Sequence, residues 1–140
     1  FLALSWIAVV YCSLHSSVLG LLMLHFRHDP PLWLRPRQKA RGLTQGGLIL
    51  GSFPEASYEE GRIELKAGDL LVFYTDGVTD AGIPERESFG PARLLAAVEA
   101  RRALPAARIV EEVLAAVEAY AGESAWGDDR TLVVLKVLTA

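Results

Sequence analysis

The sequence predicts an α+β fold, an antiparallel β-sheet with two late helices packed on one of its faces. Short runs rich in Leu, Val, Ile and Phe, each bounded by turn residues, are typical of strands. Two later stretches repeat apolar residues at helical spacing, and the chain then returns to a strand pattern at Thr131–Val137. The resulting order, three strands, two helices and a last strand, favours an antiparallel sheet covered by helices on one side.

The predicted strands follow one another from residue 27 onwards. Residues 27–41 contain three prolines, which favour a loop with one short strand. The turn before the central strand contains Gly68, which can adopt the positive φ that such a turn requires. The three strands that precede the helices are Gly46–Gly51, Arg62–Leu65 and Leu70–Thr75, and the short strand within the proline-rich loop is Leu32–Leu34. The predicted turn is Lys66–Asp69, and the polar loop is Pro84–Ser88.

Two helices are predicted between the central strand and the last strand. Pro91 lies in the first turn of a helix at Ala92–Arg102, where the missing N–H of proline costs little. Pro105 begins the second helix, and Gly122 ends it. Apolar residues on one face of each helix are expected to form core rather than a binding site: Leu94, Leu95, Val98, Ile109, Val110, Val113, Leu114, Val117 and Tyr120.

Residues 1–26 contain no charged side chain, and two interpretations of this segment stay open. An uncharged stretch of this length is a candidate membrane span, and the basic residues after it would place the rest of the chain in the cytoplasm. Alternatively, Trp6–Leu14 and Leu21–Phe26 form two buried strands joined by a serine-rich turn. His15 lies near the middle of the segment, where a membrane would disfavour it, so we favour the strand pair.

The net charge of −3 is distributed unevenly along the chain. Residues 1–50 carry +4 and the remainder carries −7. The basic residues lie in a proline-rich loop and do not alternate with aromatic residues, so we expect them to be solvated and predict no nucleic-acid binding. Cys12 is the one cysteine, which excludes a disulfide within the chain, and its apolar neighbours favour a packing role.

Acidic residues stand at the ends of two predicted buried strands. Asp76 follows the central strand directly, and Asp128 lies shortly before the last strand. Carboxylate oxygens fixed at a rigid strand end suit a hard divalent cation. If the two strands are neighbours, Asp76 and Asp128 converge, and we predict a metal site there. Taken alone, each aspartate is equally typical of an ordinary turn.

Five short motifs occur in order along residues 28–140. They are His28–Leu32, Gly51–Pro54, Gly68–Asp80, Glu87–Gly90 followed by Arg93–Leu94, and Asp128–Thr131. Together they resemble the metal-dependent protein phosphatases of the PPM superfamily, and most closely the branch of stage II sporulation protein E. Each motif alone is weak, whereas the ordered set is specific.

The resemblance implies a partial PPM phosphatase β-sandwich at residues 28–140, preceded by an apolar segment at residues 1–27. It implies hydrolysis of phosphoserine or phosphothreonine with two Mn²⁺ or Mg²⁺ ions, which share and activate a bridging water. By position, Asp76 and Asp128 match metal ligands in this family. Around these ligands, Gly77 matches a position that permits the tight turn beside Asp76. Asp129 and Thr131 match positions that orient the ligand loop.

The chain departs from the family pattern in two places. The string Gly-Asp-x-x-Gly-His-Gly, whose aspartate bridges both ions in the family, is absent from the 140 residues. Residues 25–27 are His-Phe-Arg where the family has Asn-Ala-Gly. We therefore expect a phosphatase fragment that is inactive alone, and the initial Phe also suggests a piece of a longer product. The alternatives are a non-catalytic phosphatase-like module that binds a partner, and a small membrane-anchored protein.

The resemblance further implies a partner and a location. The expected substrate resembles a phosphorylated anti-anti-sigma factor, and the expected location is the cytoplasm, or the cytoplasmic side of a membrane anchored through residues 1–26. Three histidines could suggest another metal site, but no pair of them has the spacing of a known site, so we expect structural roles for His15, His25 and His28.

Overall fold

The computed structural model describes residues 19–23, 30–44, 55, 57, 61–82, 87–122 and 129–138. Within these ranges the strands are β1 (Leu19–Met23), β2 (Leu32–Leu34), β3 (Arg41–Gly42), β4 (Gly61–Leu65), β5 (Leu70–Tyr74) and β6 (Leu132–Lys136). The helices are α1 (Asp76–Thr79), α2 (Gly90–Arg101) and α3 (Ala106–Ala121).

The described strands form two antiparallel sheets. One sheet has four strands in the order β3-β2-β5-β6, and the other consists of β1 paired with β4. In the larger sheet, Leu71 of β5 lies opposite Trp33 on one side and opposite Leu135 on the other. All five residues of β5 are buried, as expected for a continuous apolar strand covered on both faces. The prediction that this strand is central is confirmed.

The larger core lies between the four-stranded sheet and the helices α2 and α3. Because successive side chains of a strand point to opposite faces, Leu70, Val72 and Tyr74 share the face towards the helices. The fully buried helix residues in this core are Leu94, Val98, Ile109, Val113, Val117 and Ala121. The apolar helix faces therefore form core, as predicted, and both late helices cover one face of the sheet.

The opposite face of β5 contributes to a second, smaller core. Leu71 and Phe73 pack there with Leu65 and Ile63 of β4. Because β4 belongs to the other sheet, this cluster forms an apolar layer between two sheets. Helices on one face of the central sheet and a second sheet on the other confirm the α+β prediction and give the outline of a partial sandwich.

The first and last residues of α2 and α3 lie close to the predicted ones. α2 begins at Gly90, two residues before the predicted start, with Pro91 in its first turn. α3 follows directly after Pro105 and ends before Gly122, whose φ of 69° is in the left-handed region. Lys136 of β6 donates hydrogen bonds to the carbonyls of Arg102 and Leu104, and so ties the last strand to the connection between the two helices.

Gly68 occupies the turn between β4 and β5 with a φ of 87°, as the sequence predicted. A Cβ atom at this position would also lie 3.0 Å from Cγ of Pro36. Both the backbone conformation and the close approach of the proline ring therefore favour glycine here.

The other strand predictions differ in outcome. Leu32–Leu34 is confirmed as β2, and Arg62–Leu65 as part of β4. The predicted strand Leu21–Phe26 overlaps β1, which begins two residues earlier and pairs with β4. Trp6–Leu14 and Gly46–Gly51 lie outside the described residues. None of the helices in the described ranges has the length and apolar character needed to cross a membrane.

A buried ion pair joins the end of β2 to the turn before β5. The Asp69 carboxylate is fully buried and accepts hydrogen bonds from Arg35 Nε at 3.1 Å, Arg35 Nη2 at 2.8 Å, Trp33 Nε1 at 3.1 Å and the Lys66 N–H at 3.0 Å. Arg35 also donates to the Glu64 carbonyl at 2.7 Å, and its guanidinium lies 4.7 Å from the centre of the Trp33 ring. The expectation that the basic loop residues are merely solvated is therefore wrong for Arg35.

The electrostatics of this pair favour two charged groups at neutral pH. Burial raises the pKa of Asp69, but the hydrogen bonds from Arg35, Lys66 and Trp33, together with the Arg35 charge, bring it below the ordinary aspartate value. The hydrogen bond to Asp69 in turn raises the pKa of Arg35. Because Arg35 also contacts β4 through Glu64, the pair links the two sheets.

Candidate metal centre

Asp76 stands at the point where the central strand ends. It is the first residue of α1, a single helical turn that the sequence analysis did not predict. From Leu70 to Thr79, Asp76 is the one exposed residue in an otherwise buried stretch. Its Oδ1 accepts a hydrogen bond from the Gly77 N–H at 3.0 Å. The rigid core therefore holds this carboxylate in place while leaving it accessible to solvent.

The local structure at Gly77 differs from the one that the family resemblance implied. The resemblance implied that it permits a tight turn beside the ligand, whereas the structure places it in the helical turn α1, buried beside Val78 and Thr79. Its described contact with the site is the N–H that donates to Asp76. A backbone N–H is available to any residue except proline, so this contact does not itself require glycine.

Thr75 joins the end of β5 to the start of β6. Its N–H donates to the Thr131 carbonyl at 3.1 Å, which extends the strand pairing by one residue. Its hydroxyl donates to the Asp129 carbonyl at 3.1 Å and accepts from the Thr131 N–H at 2.9 Å. Buried Thr75 therefore makes three hydrogen bonds to the backbone of the residues on either side of Arg130. These bonds hold that backbone beside Thr75, which directly precedes Asp76.

The structure thus brings several of the predicted site residues together. Asp76, Asp129 and Thr131 lie at the same end of neighbouring strands, connected through Thr75. The side chains of Asp129 and Thr131 are exposed, and their described contacts with Thr75 are made by backbone groups. Asp128 lies outside the described residues, so its place as a ligand stays a prediction.

Asp76 has the chemistry of one ligand to a hard cation, because its carboxylate is exposed and anchored at a strand end. A complete site needs more ligands. Among the residues that the structure describes, no group of three or more His, Cys, Asp or Glu side chains could hold a metal ion. The described residues therefore fit part of a metal centre, and its remaining ligands would have to come from other residues.

The sequence patterns predicted no separate role for Thr75, Arg35 or Asp69. A signal for Thr75 was available, since a hydroxyl residue stands between the apolar strand and the aspartate. No comparable signal existed for Arg35 and Asp69, which are 34 positions apart. His15, His25, His28 and Cys12 lie outside the described residues, and their expected structural roles stay predictions.

Comparison with known sequences identifies related proteins. The family model described as stage II sporulation protein E (SpoIIE) matches residues 5–138. Protein IcfG of Synechocystis sp. (strain ATCC 27184 / PCC 6803 / Kazusa) is 34% identical over 68 residues, which is 49% of this chain and 11% of that protein. The chain therefore matches a small part of this curated relative.

Solved structures with a similar fold are phosphatase domains or contain related domains. The SiaA-PP2C domain of Pseudomonas aeruginosa has a TM-score of 0.65 at 20% identity, covering 86% of this chain and 52% of its own. The RsbU and RsbW domains of Rv1364c from Mycobacterium tuberculosis give 0.66 at 23% identity, covering 86% and 34%. The SpoIIE phosphatase domain from Bacillus subtilis, presoaked with Mn, gives 0.55 at 20% identity, covering 96% and 57%. The chain thus spans about a third to somewhat over half of these solved chains.

Proposed function

Because this chain belongs to the stage II sporulation protein E family, we propose that it forms the C-terminal part of a metal-dependent protein serine/threonine phosphatase domain. The reaction is the hydrolysis of a phosphoserine or phosphothreonine ester on a regulatory protein. The observation that carries this proposal is the junction at Thr75, which places the backbone of Asp129 and Thr131 beside the strand end that carries Asp76. The fold shared with phosphatase domains supports it.

In this proposal Asp76 and Asp128 are ligands of a divalent cation, Mn²⁺ or Mg²⁺, and two ions act in the complete domain. When bound, the ions supply an activated water and neutralise charge on the phosphate. The part of the chain described here contributes rigidity. Buried β5 and α1 hold the Asp76 carboxylate in place, and the Gly77 N–H orients one of its oxygens. The hydroxyl of Thr75 holds the backbone of Asp129 and Thr131 next to this strand end.

The isolated 140-residue chain is expected to show no Mn²⁺-dependent hydrolysis of p-nitrophenyl phosphate. The reason is that the Gly-Asp-x-x-Gly-His-Gly string is absent from these residues, and the bridging aspartate implied by the family is absent with it. The assay compares the purified chain with its Asp76→Asn variant at saturating Mn²⁺. Turnover by the chain that disappears in the variant would contradict the expected inactivity and show that no bridging aspartate is needed.

Weak but localised Mn²⁺ binding is expected for the same chain, because Asp76 is an exposed and anchored carboxylate. In ¹⁵N-labelled protein, paramagnetic Mn²⁺ should broaden the amide signals of Gly77 and of residues 129–131 before others. Asp76→Asn should abolish this localised broadening. Glu99→Gln removes one negative charge from an exposed position of α2 and should leave the localised broadening unchanged. Broadening that is equal in all three proteins would refute the ligand role of Asp76.

The substrate and the location complete the proposal. We propose that the substrate is a phosphorylated protein resembling an anti-anti-sigma factor, so that dephosphorylation switches its binding to a regulatory partner. The proposed location is the cytoplasm, with attachment to a membrane through residues 1–26 as the alternative. The strand pairing of Leu19–Met23 with β4 favours the first location, because those five residues are then part of a sheet.

A second candidate function is a non-catalytic phosphatase-like module that binds a partner protein. Its support is that residues 25–27 are His-Phe-Arg where the family pattern has Asn-Ala-Gly. The Mn²⁺ titration separates the two candidates, since a module without a metal role should show no broadening that depends on Asp76. The DNA sequence upstream of the codon for Phe1 gives an independent distinction, because an in-frame Gly-Asp-x-x-Gly-His-Gly string would support the phosphatase.

A further inference from the structure

We propose that the Thr75 hydroxyl is a positioning group that sets the metal affinity of this site by holding the start of β6 against the end of β5. The inference deepens the proposed function and rests on it. It concerns a side chain that need not touch the metal or the substrate. Its basis is the pair of hydrogen bonds that the hydroxyl makes to two different backbone groups.

The geometry uses the hydroxyl as both donor and acceptor. Its oxygen is 3.1 Å from the Asp129 carbonyl oxygen and 2.9 Å from the Thr131 nitrogen. These two groups flank Arg130 and lie 54 and 56 residues from Thr75 along the chain. One hydroxyl therefore fixes the backbone of a distant loop on both sides of a single residue. Such double use is possible for Ser and Thr but not for Val or Ala.

Because Thr75 is buried, water cannot easily replace these hydrogen bonds when they are lost. Thr75 is 9% exposed, so solvent has little access to replace a lost hydrogen bond at its side chain. Thr75→Val keeps the shape and the backbone bond from its N–H to Thr131, but it leaves the Thr131 N–H and the Asp129 carbonyl without these partners. The loop would then be free to shift relative to Asp76, which directly follows Thr75.

The consequence for a metal follows from ligand placement. Asp76 is anchored by β5 and α1, whereas Asp129 and Thr131 reach this strand end through Thr75. The affinity of Asp76 for a cation is therefore sensitive to where the backbone of residues 129–131 lies beside it. Loss of groups that orient metal ligands typically weakens metal affinity by about 10–100-fold. We expect a change of this size for Thr75→Val.

The test measures Mn²⁺ affinity of the ¹⁵N-labelled chain by the concentration dependence of amide broadening. Thr75→Val should weaken the apparent affinity by about 10-fold or more, and Thr75→Ser, which keeps the hydroxyl, should restore it to near the wild-type value. In the absence of metal, the Thr131 amide should exchange with solvent faster in Thr75→Val than in Thr75→Ser. If Thr75→Val does not fold, Thr75→Ala is compared with Thr75→Ser in the same way.

The outcomes separate this inference from the proposed function. If the wild-type chain shows no broadening that depends on Asp76, the proposed metal role fails and the inference about Thr75 fails with it. If the wild-type chain binds Mn²⁺ and Thr75→Val binds it equally well, the inference alone is overturned. It is also overturned if Thr75→Ser loses as much affinity as Thr75→Val, or if Thr75→Val lowers thermal stability without changing the affinity.

Discussion

Arg35→Leu is expected to lower the free energy of unfolding by about 3–5 kcal/mol, because it leaves a buried carboxylate without its cation. Asp69 is fully buried and receives two of its hydrogen bonds from the Arg35 guanidinium. Trp33 and the Lys66 N–H would still donate to it, but neither carries a positive charge. The measurement is the free energy of unfolding from urea denaturation at pH 7.

Arg108→Leu provides the matched control for this experiment. Arg108 is exposed and pairs with Glu111 and Glu112 on the surface of α3, so its replacement should cost less than about 1 kcal/mol. The double variant Arg35→Leu/Asp69→Leu should recover much of the lost stability, because it removes the unpaired carboxylate. Equal costs for Arg35→Leu and Arg108→Leu would show that the buried pair does not stabilise the junction between the sheets.

The pair of Arg35 and Asp69 should also make the free energy of unfolding depend on pH. The pKa of Asp69 is lower in the folded protein than its ordinary value, so the folded state holds the proton less tightly than the unfolded state. The contribution of Asp69 is therefore fully present above the ordinary aspartate pKa and is lost as the pH falls through the folded pKa. In Arg35→Leu the hydrogen bonds and the charge of Arg35, which lower this pKa, are removed. The pKa should therefore rise, and the stability deficit of the variant relative to wild type should shrink in acid.

Leu94→Ala is expected to destabilise the protein by about 2–5 kcal/mol. Leu94 of α2 is 0% exposed within the core between the four-stranded sheet and the helices. Removing its side chain leaves a cavity that the surrounding strands and helices can only partly close. Urea denaturation at neutral pH measures the loss, and the slope of the transition should stay unchanged if the fold is retained.

Leu138→Ala is the control with the identical chemical change. Leu138 follows β6 and is 74% exposed, so we expect a change of about 0.5 kcal/mol or less. A comparable loss in both variants would mean that Leu138 is covered in solution, in conflict with the described structure. A small loss in Leu94→Ala would instead mean that α2 does not pack on the sheet as described.

Local patterns predicted the elements that form the frame of the site. The apolar run at Leu70–Thr75 predicted the central strand, because a strand covered on both faces needs no polar alternation. Proline before or within the first turn, and a glycine after the last turn, predicted the ends of α2 and α3 closely. The five motifs indicated the family because their order along the chain is far more specific than any one of them alone.

Other features could not be predicted because they depend on pairing between distant residues. α1 is one short turn that contains Gly77, a weak helix former, and its Val78 is buried in the larger core. The basic loop was predicted to be solvated because its charges lie among prolines. Arg35 nevertheless forms an ion pair with Asp69, which lies in a buried turn. Nothing local to either residue indicates the other, since their proximity requires β2 to pair with β5.

The amino-acid sequence alone determined the types of the elements, the order of the motifs and the presence of an aspartate at the end of the central strand. Those are local properties, governed by the spacing of apolar residues and by the conformations open to proline and glycine. The tertiary structure alone decided that β5 pairs with β6, that Thr75 connects Asp76 to the backbone of residues 129–131, and that Arg35 neutralises Asp69. These contacts exist because folding brings segments tens of residues apart into one core.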